Sequence, residues 1–166
     1  MHAIAPLLPA VLAGPAIDAK VVDGDIVTTV SLHIDATPDA IVDALLDLDA
    51  RVELSHVDEV VSYRDAQGRL GAHYTAGLGP FSASTYTLYV CDRTTWTCDF
   101  FPDPERAAGM SATVGGYLIT PDELGATLTI TSTSELPGWA PASMLTSAYG
   151  GTMAELLESV DRRAKR

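Results

Sequence analysis

Four histidines, two cysteines, six tyrosines and ten lysines or arginines are the side chains of this 166-residue chain best suited to chemistry, beside 22 carboxylates. His2, His33, His56 and His73 are dispersed, and none stands at the spacing by which a helix or a turn presents ligands to a metal. A general acid or base must lie within hydrogen-bond reach of the proton it moves. His33 falls on the polar parity of a strand-like run, and His73 adjoins Tyr74, so only one of that pair can point inward. Arg64 and Arg69 flank one turn signal and Arg93 another. The carboxylates scatter over helix faces and turns and form no recognisable acid/base pair. A phosphate-cradling glycine loop, a GxSxG elbow and an HExxH helix are all missing from the sequence. The catalytic residues, if any, are therefore not identified by the sequence, and no metal or cofactor is expected.

Cys91 and Cys98 sit in VCDRTTWTCDF, which reads as a hairpin. A turn at Thr94-Thr95 places them opposite each other, either as two thiols or as a cross-strand disulfide, depending on register and compartment.

Positions that could hold such groups depend on the class of chain. At 47% apolar and 19% charged residues, this is the composition of a folded globular domain, and its length suits one core. The net charge is −12, and four of the ten basic residues crowd the last five positions (Arg162, Arg163, Lys165, Arg166). Phosphate neutralisation drives nucleic-acid affinity, so a body this acidic predicts no nucleic-acid partner. The basic tail suits the negative end of a helix dipole instead. No apolar run reaches the ~20 residues of a membrane span, so no stable membrane insertion is expected. The opening MHAIAPLLPAVLAGPA lacks a positive start and is broken by Pro6 and Pro9. Residues 1–21 read as an ordered arm or a targeting remnant, ahead of one domain over 22–166. A cytoplasmic location is expected, with export the alternative.

From Asp25 the pattern has period two, with Ile26, Thr28, Val30, Leu32 and Ile34 on one parity. Thr37-Pro38-Asp39 supplies a cap, a first-turn proline and an early acid, and predicts a helix over about 38–49. A short helical segment around 50–56 follows. Strand-like runs then occupy about 57–64, 69–78, 83–92, 95–102, 110–119 and 126–135, separated by turn signals as in an antiparallel meander. From Ala142 to about Arg163 a helical stripe returns.

This order resembles the helix-grip fold of the SRPBCC superfamily, which includes START-type lipid-transfer domains, birch-pollen-allergen-like proteins and the polyketide cyclase/dehydrase group. The resemblance is carried by VTTVSLHIDATPDAIVDALLDLDA (27–50), HVDEVVSYRDAQGRLGAHYTA (56–76) and LPGWAPASMLTSAYGGTMAELLESV (136–160). It implies an α+β fold, with a curved antiparallel sheet of about seven strands wrapped around a long C-terminal helix and one or two short helices after the first strand. It also implies a small hydrophobic ligand (a lipid, isoprenoid, quinone or polyketide-like compound) held between sheet and helix. The alternatives are a polyketide cyclase or dehydratase acting as a lyase or isomerase, and an interaction module with a filled interior.

An inward parity assigned to this fold makes Val61, Tyr63, Leu70 and Tyr74 ligand-facing on the first hairpin, and Tyr86 and Leu88 on the next strand. Met110, Val114, Leu128 and Ile130 complete the sheet, and Met144, Ala148, Tyr149 and Thr152 face them from the helix. A one-residue slip would turn any strand's set outward. Gly150-Gly151 and Gly115-Gly116 either leave room for a ligand or allow close backbone packing, a bend or a bulge.

Overall fold

The structure is a computed structural model and describes residues 14–78, 81–106, 113–136, 138 and 141–166. The elements in chain order are β1 (Ala16–Val22), β2 (Asp25–Ile34), α1 (Pro38–Leu46), a 3-10 helix (Asp49–Glu53), β3 (Val57–Arg64), β4 (Leu70–Leu78), β5 (Phe81–Asp92), β6 (Thr97–Pro102), β7 (Thr113–Asp122), β8 (Gly125–Glu135) and α2 (Ala142–Ala164). The strands form one antiparallel sheet in the order β1-β2-β8-β7-β6-β5-β4-β3. This is the helix-grip arrangement.

Eight strands stand where about seven are expected. The addition is β1, an edge strand joined to β2 by Asp23-Gly24, whose φ angles of 51° and 90° are those of a two-residue primed hairpin turn. α1 begins as its sequence requires: the Thr37 hydroxyl accepts the Ala40 amide at 3.3 Å and Pro38 stands at the first position.

One sheet face carries the core. Val30 and Ile34 of β2, Leu128 and Ile130 of β8, Tyr117 and Ile119 of β7, Phe100 of β6, Tyr89 of β5 and Ala72 of β4 are all buried. Against them pack Ile41, Val42 and Leu45 of α1, then Leu48 and Leu54, and Met153, Leu156, Leu157 and Val160 of α2. Each fully buried aliphatic side chain contributes roughly 1.5–3 kcal/mol.

The opposite face is also covered over part of its area. There His73 stacks on Tyr86 with centroids 4.2 Å apart, and the Arg106 guanidinium lies 4.2 Å over the Tyr63 ring. Asp103, its side chain 1% exposed, accepts the Tyr63 hydroxyl at 2.7 Å and also pairs with Arg106. Gly71 on β4 is what permits this, since a Cβ there would lie 2.6 Å from the Tyr63 ring. Cys91 and Cys98 are directly opposed across β5 and β6 and are joined as a disulfide on the core face.

Candidate functional site

The 3-10 helix repeats every three residues, so Leu48, Arg51 and Leu54 line one side of it. All three are buried, and Arg51 enters the interior with only 5% of its surface exposed. One of its terminal nitrogens donates to the Tyr74 hydroxyl at 2.9 Å and the Tyr89 hydroxyl at 2.7 Å. The other donates to the Leu45 carbonyl at 3.0 Å and reaches the Tyr117 hydroxyl at 3.4 Å. Tyr74 and Tyr89 are themselves hydrogen-bonded at 2.8 Å. The phenols arrive from β4, β5 and β7, where the registers Leu70↔Tyr89, Tyr89↔Phe100 and Cys98↔Tyr117 bring alternating residues to the same side.

None of the ion pairs among the described residues includes Arg51. Burial pulls its pKa down, the surrounding phenol oxygens push it back up, and the net displacement is upward, so the cation persists. The same burial raises all three phenols against the pull of Arg51. Tyr74 is raised, Tyr89 lies well above its ordinary value, and Tyr117 is pushed up to about 12. At neutral pH the cluster is one guanidinium and three protonated phenols. Close by, Arg163 of α2 donates to the Ala44 carbonyl at 2.7 Å and the Asp47 carbonyl at 3.2 Å. These, with Leu45, are among the carbonyls that the end of α1 leaves without an intrahelical partner.

Elsewhere on the same inner face the side chains become small hydroxyls. Thr28, Ser132 and Ser134 are at most 1% exposed, and Thr28 stands directly opposite Ser132. Ser132 reaches the Met153 sulfur at 3.4 Å and Ser134 bonds Thr113 at 2.8 Å. The Thr28 hydroxyl, fully buried, has no hydrogen-bond partner among the described residues. An open groove between 35–38 and 121–125 lies away from this interior and is lined by Asp35, Asp122 and Glu123.

Residues 25–165 match the model of the family described as polyketide cyclase/dehydrase and lipid transport. The chain belongs to that family. Solved structures with the same fold are distant in sequence. A STAR-related lipid transfer protein from Xanthomonas axonopodis superposes with a TM-score of 0.70 at 13% identity, covering 93% of this chain and 100% of that one. A Thermus thermophilus protein gives 0.69 at 17% identity, covering 82% and 94%. An aromatase/cyclase from Streptomyces sp. R1128 gives 0.66 at 11% identity, covering 86% and 94%. No curated protein matches the sequence.

Within this member of the polyketide cyclase/dehydrase and lipid transport family, the residues expected to face a ligand divide between the two sheet faces. Tyr74, Leu128 and Ile130 are inward, with Leu70 partly buried beside them. Tyr149 packs on the core from α2, and Thr152 is half-buried. The inward assignment of the other described residues is corrected. Val60, not Val61, opposes Tyr74, so Val61 and Tyr63 lie on the outer face and Val61 is 49% exposed. Tyr86 opposes His73 and Leu88 opposes Gly71, which places both outside; Leu88 is buried there, apart from the inner core. Val114 opposes Thr133, outside the Ser132 parity, and is 46% exposed. Met144 and Ala148 are exposed, because the buried stripe of α2 runs one residue further on, through Leu145, Tyr149, Met153, Leu156 and Val160. Met110 lies outside the described residues.

The glycine pairs also resolve. A Cβ on Gly150 would meet the Ile17 side chain at 2.7 Å, and one on Gly115 the Thr131 carbonyl at 2.1 Å, so both serve close approach. Gly151 is exposed, with nothing among the described residues within 4 Å of such a Cβ. Sequence reasoning missed Arg51, Tyr89 and Tyr117. The signal available was the spacing Leu48, Arg51, Leu54: a lone cation in register with two apolar residues inside an acidic stretch.

Proposed function

We propose that this protein binds and carries one small hydrophobic molecule between the inner face of its sheet and α2. The observation that carries this reading is the Thr28 hydroxyl, fully buried and without a partner among the described residues, in a row with Ser132 and Ser134 on an inner face that is apolar between them and the Arg51 cluster. A buried hydroxyl without a partner costs about 1–3 kcal/mol. Apolar walls with a few placed polar groups are the surroundings in which small ligands are held. The family match supports the same class.

A second reading, a cyclase or dehydratase, is favoured by Arg51 alone. A fixed guanidinium flanked by phenols can stabilise the negative charge that develops on a carbonyl oxygen during enolisation. Native mass spectrometry of the freshly purified protein, with solvent extraction of what is bound, tests the first reading. A co-purifying apolar compound returned chemically unchanged supports the carrier. A compound that binds and is converted on incubation supports the enzyme. A protein that binds nothing across a panel of lipids, quinones and polyketide-like phenols overturns both.

A further inference from the structure

We propose that Arg51, Tyr89 and Tyr117 form an oxyanion seat, and that the carried molecule is an apolar acid whose carboxylate docks there. The inference rests on the carrier reading above and adds the chemical class of the ligand's head. It follows from counting donors against acceptors. Arg51 offers five N–H groups; its terminal nitrogens engage Tyr74, Tyr89, Leu45 and Tyr117, while its Nε–H is buried without a partner among the described residues. Each phenol oxygen is already an acceptor for the guanidinium, which leaves its own proton to donate elsewhere. The Tyr74–Tyr89 bond uses one of those three protons. The other phenolic protons, one on that pair and one on Tyr117, have no acceptor among the described residues. The cluster is rich in donors, short of acceptors and positively charged.

A carboxylate supplies what is lacking: about four acceptor sites, no donor and one negative charge. Charge-assisted bonds of this kind are the strong ones in a protein interior. A neutral alcohol or ester head would accept one or two bonds and leave the cation uncompensated. Capping α1 does not account for the guanidinium, because one bond to Leu45 needs only a neutral donor and Arg163 already serves Ala44 and Asp47.

The test is calorimetric titration of the intact protein with a matched pair, decanoate and decanol, at neutral pH. Decanoate should bind at least about 10-fold more tightly than the alcohol. Arg51→Gln should abolish that preference while leaving decanol binding in place. Should Arg51→Gln fail to fold, the wild-type complex with carboxyl-13C-labelled decanoate decides by NMR. Its bound carboxyl should remain ionised to a lower pH than the free acid. Equal affinity for the two probes, or a bound carboxyl titrating at or above its free value, overturns the oxyanion seat and leaves the carrier reading standing. Failure of both probes to bind also overturns it, while the carrier reading is then judged separately by what co-purifies.

Discussion

At the residue scale the Arg51 cluster combines one large cost with several modest gains. Taking a guanidinium out of water costs several kcal/mol, and bonds from a charged donor return about 1.5–3 kcal/mol each. The gains differ by geometry. Tyr89 accepts at 2.7 Å and Tyr117 at 3.4 Å, the latter near the limit at which a hydrogen bond contributes. Tyr89→Phe should therefore lower the unfolding free energy by about 1.5 kcal/mol and Tyr117→Phe by about 0.5 kcal/mol or less in the ligand-free protein. Urea denaturation of the two variants checks the order, and a larger loss for Tyr117→Phe would show the guanidinium leaning the other way. Arg51 is legible only through its spacing. The 3-10 period that buries it differs from the period of 3.6 by which helices are read.

The outer face has its own titrating residue. Burial pushes the Asp103 carboxyl up, but the Tyr63 hydroxyl, the Glu105 amide and the Arg106 guanidinium outweigh it and hold the group below its ordinary value. A carboxyl depressed in the folded state stabilises the fold above its unfolded value, near about 3.9, and loses that contribution as the pH falls through its folded value. Asp103→Asn should therefore be less stable than the wild type at neutral pH, yet lose less further stability between about pH 5 and about pH 2. Thermal unfolding across that range measures the slope, and identical slopes would remove Asp103 from the acid response.

At the element scale the turn of the β1–β2 hairpin depends on backbone conformation, while its strands pack against α2. Gly24 has φ +90° and, among the described residues, no atom within 4 Å of where a Cβ would stand, so a substitution acts through the left-handed backbone. Gly24→Ala should cost about 1 kcal/mol. A Tm indistinguishable from wild type would mean that β1 contributes nothing to the cooperative unit. The hairpin carries an Asp-Gly pair between alternating residues (Ile17, Ala19, Val21 before it and Ile26, Thr28, Val30 after), a pattern that marks such turns, although the segment before it reads as an arm.

The other strands show why boundaries are easier to read than faces. β2 and β8 have one apolar parity, and their inward sets are clear in the sequence. β5 is apolar on both parities because both its faces are covered in part: Tyr89 is buried inside and Leu88 outside, opposite Phe101 of β6 and on the side where Arg106, from the segment that follows β6, lies over Tyr86. Alternation then holds no information about which side is inner, and a reading by parity takes Tyr86 and Leu88 in place of Tyr89. In β7 the adjacent Gly115 and Gly116 erase the parity between Val114 and Tyr117 in the same way. In β3, Val57, Val60 and Val61 fall on both parities, with a register shift between Val57 and Glu59.

At the scale of the whole molecule, α2 ties the regions together. Its Met153 meets the hydroxyl row, its Glu155 binds the Ser55 amide and hydroxyl at 2.9 and 2.8 Å, and its Arg163 closes the end of α1. A ligand lying between α2 and the sheet would touch both halves of the grip and bind only the folded state, so its binding free energy adds to stability. At 100 times its Kd such a ligand contributes about 2.7 kcal/mol. For a domain of this length, where each kcal/mol moves Tm by about 2–4 °C, the expected rise is about 5–11 °C. A compound bound to an outer patch that persists in the unfolded chain gives a smaller rise at the same saturation. Differential scanning calorimetry at several ligand concentrations separates the two: the interior site requires Tm to climb steadily with the logarithm of concentration beyond saturation, whereas a plateau would place the ligand on a surface that unfolding leaves intact.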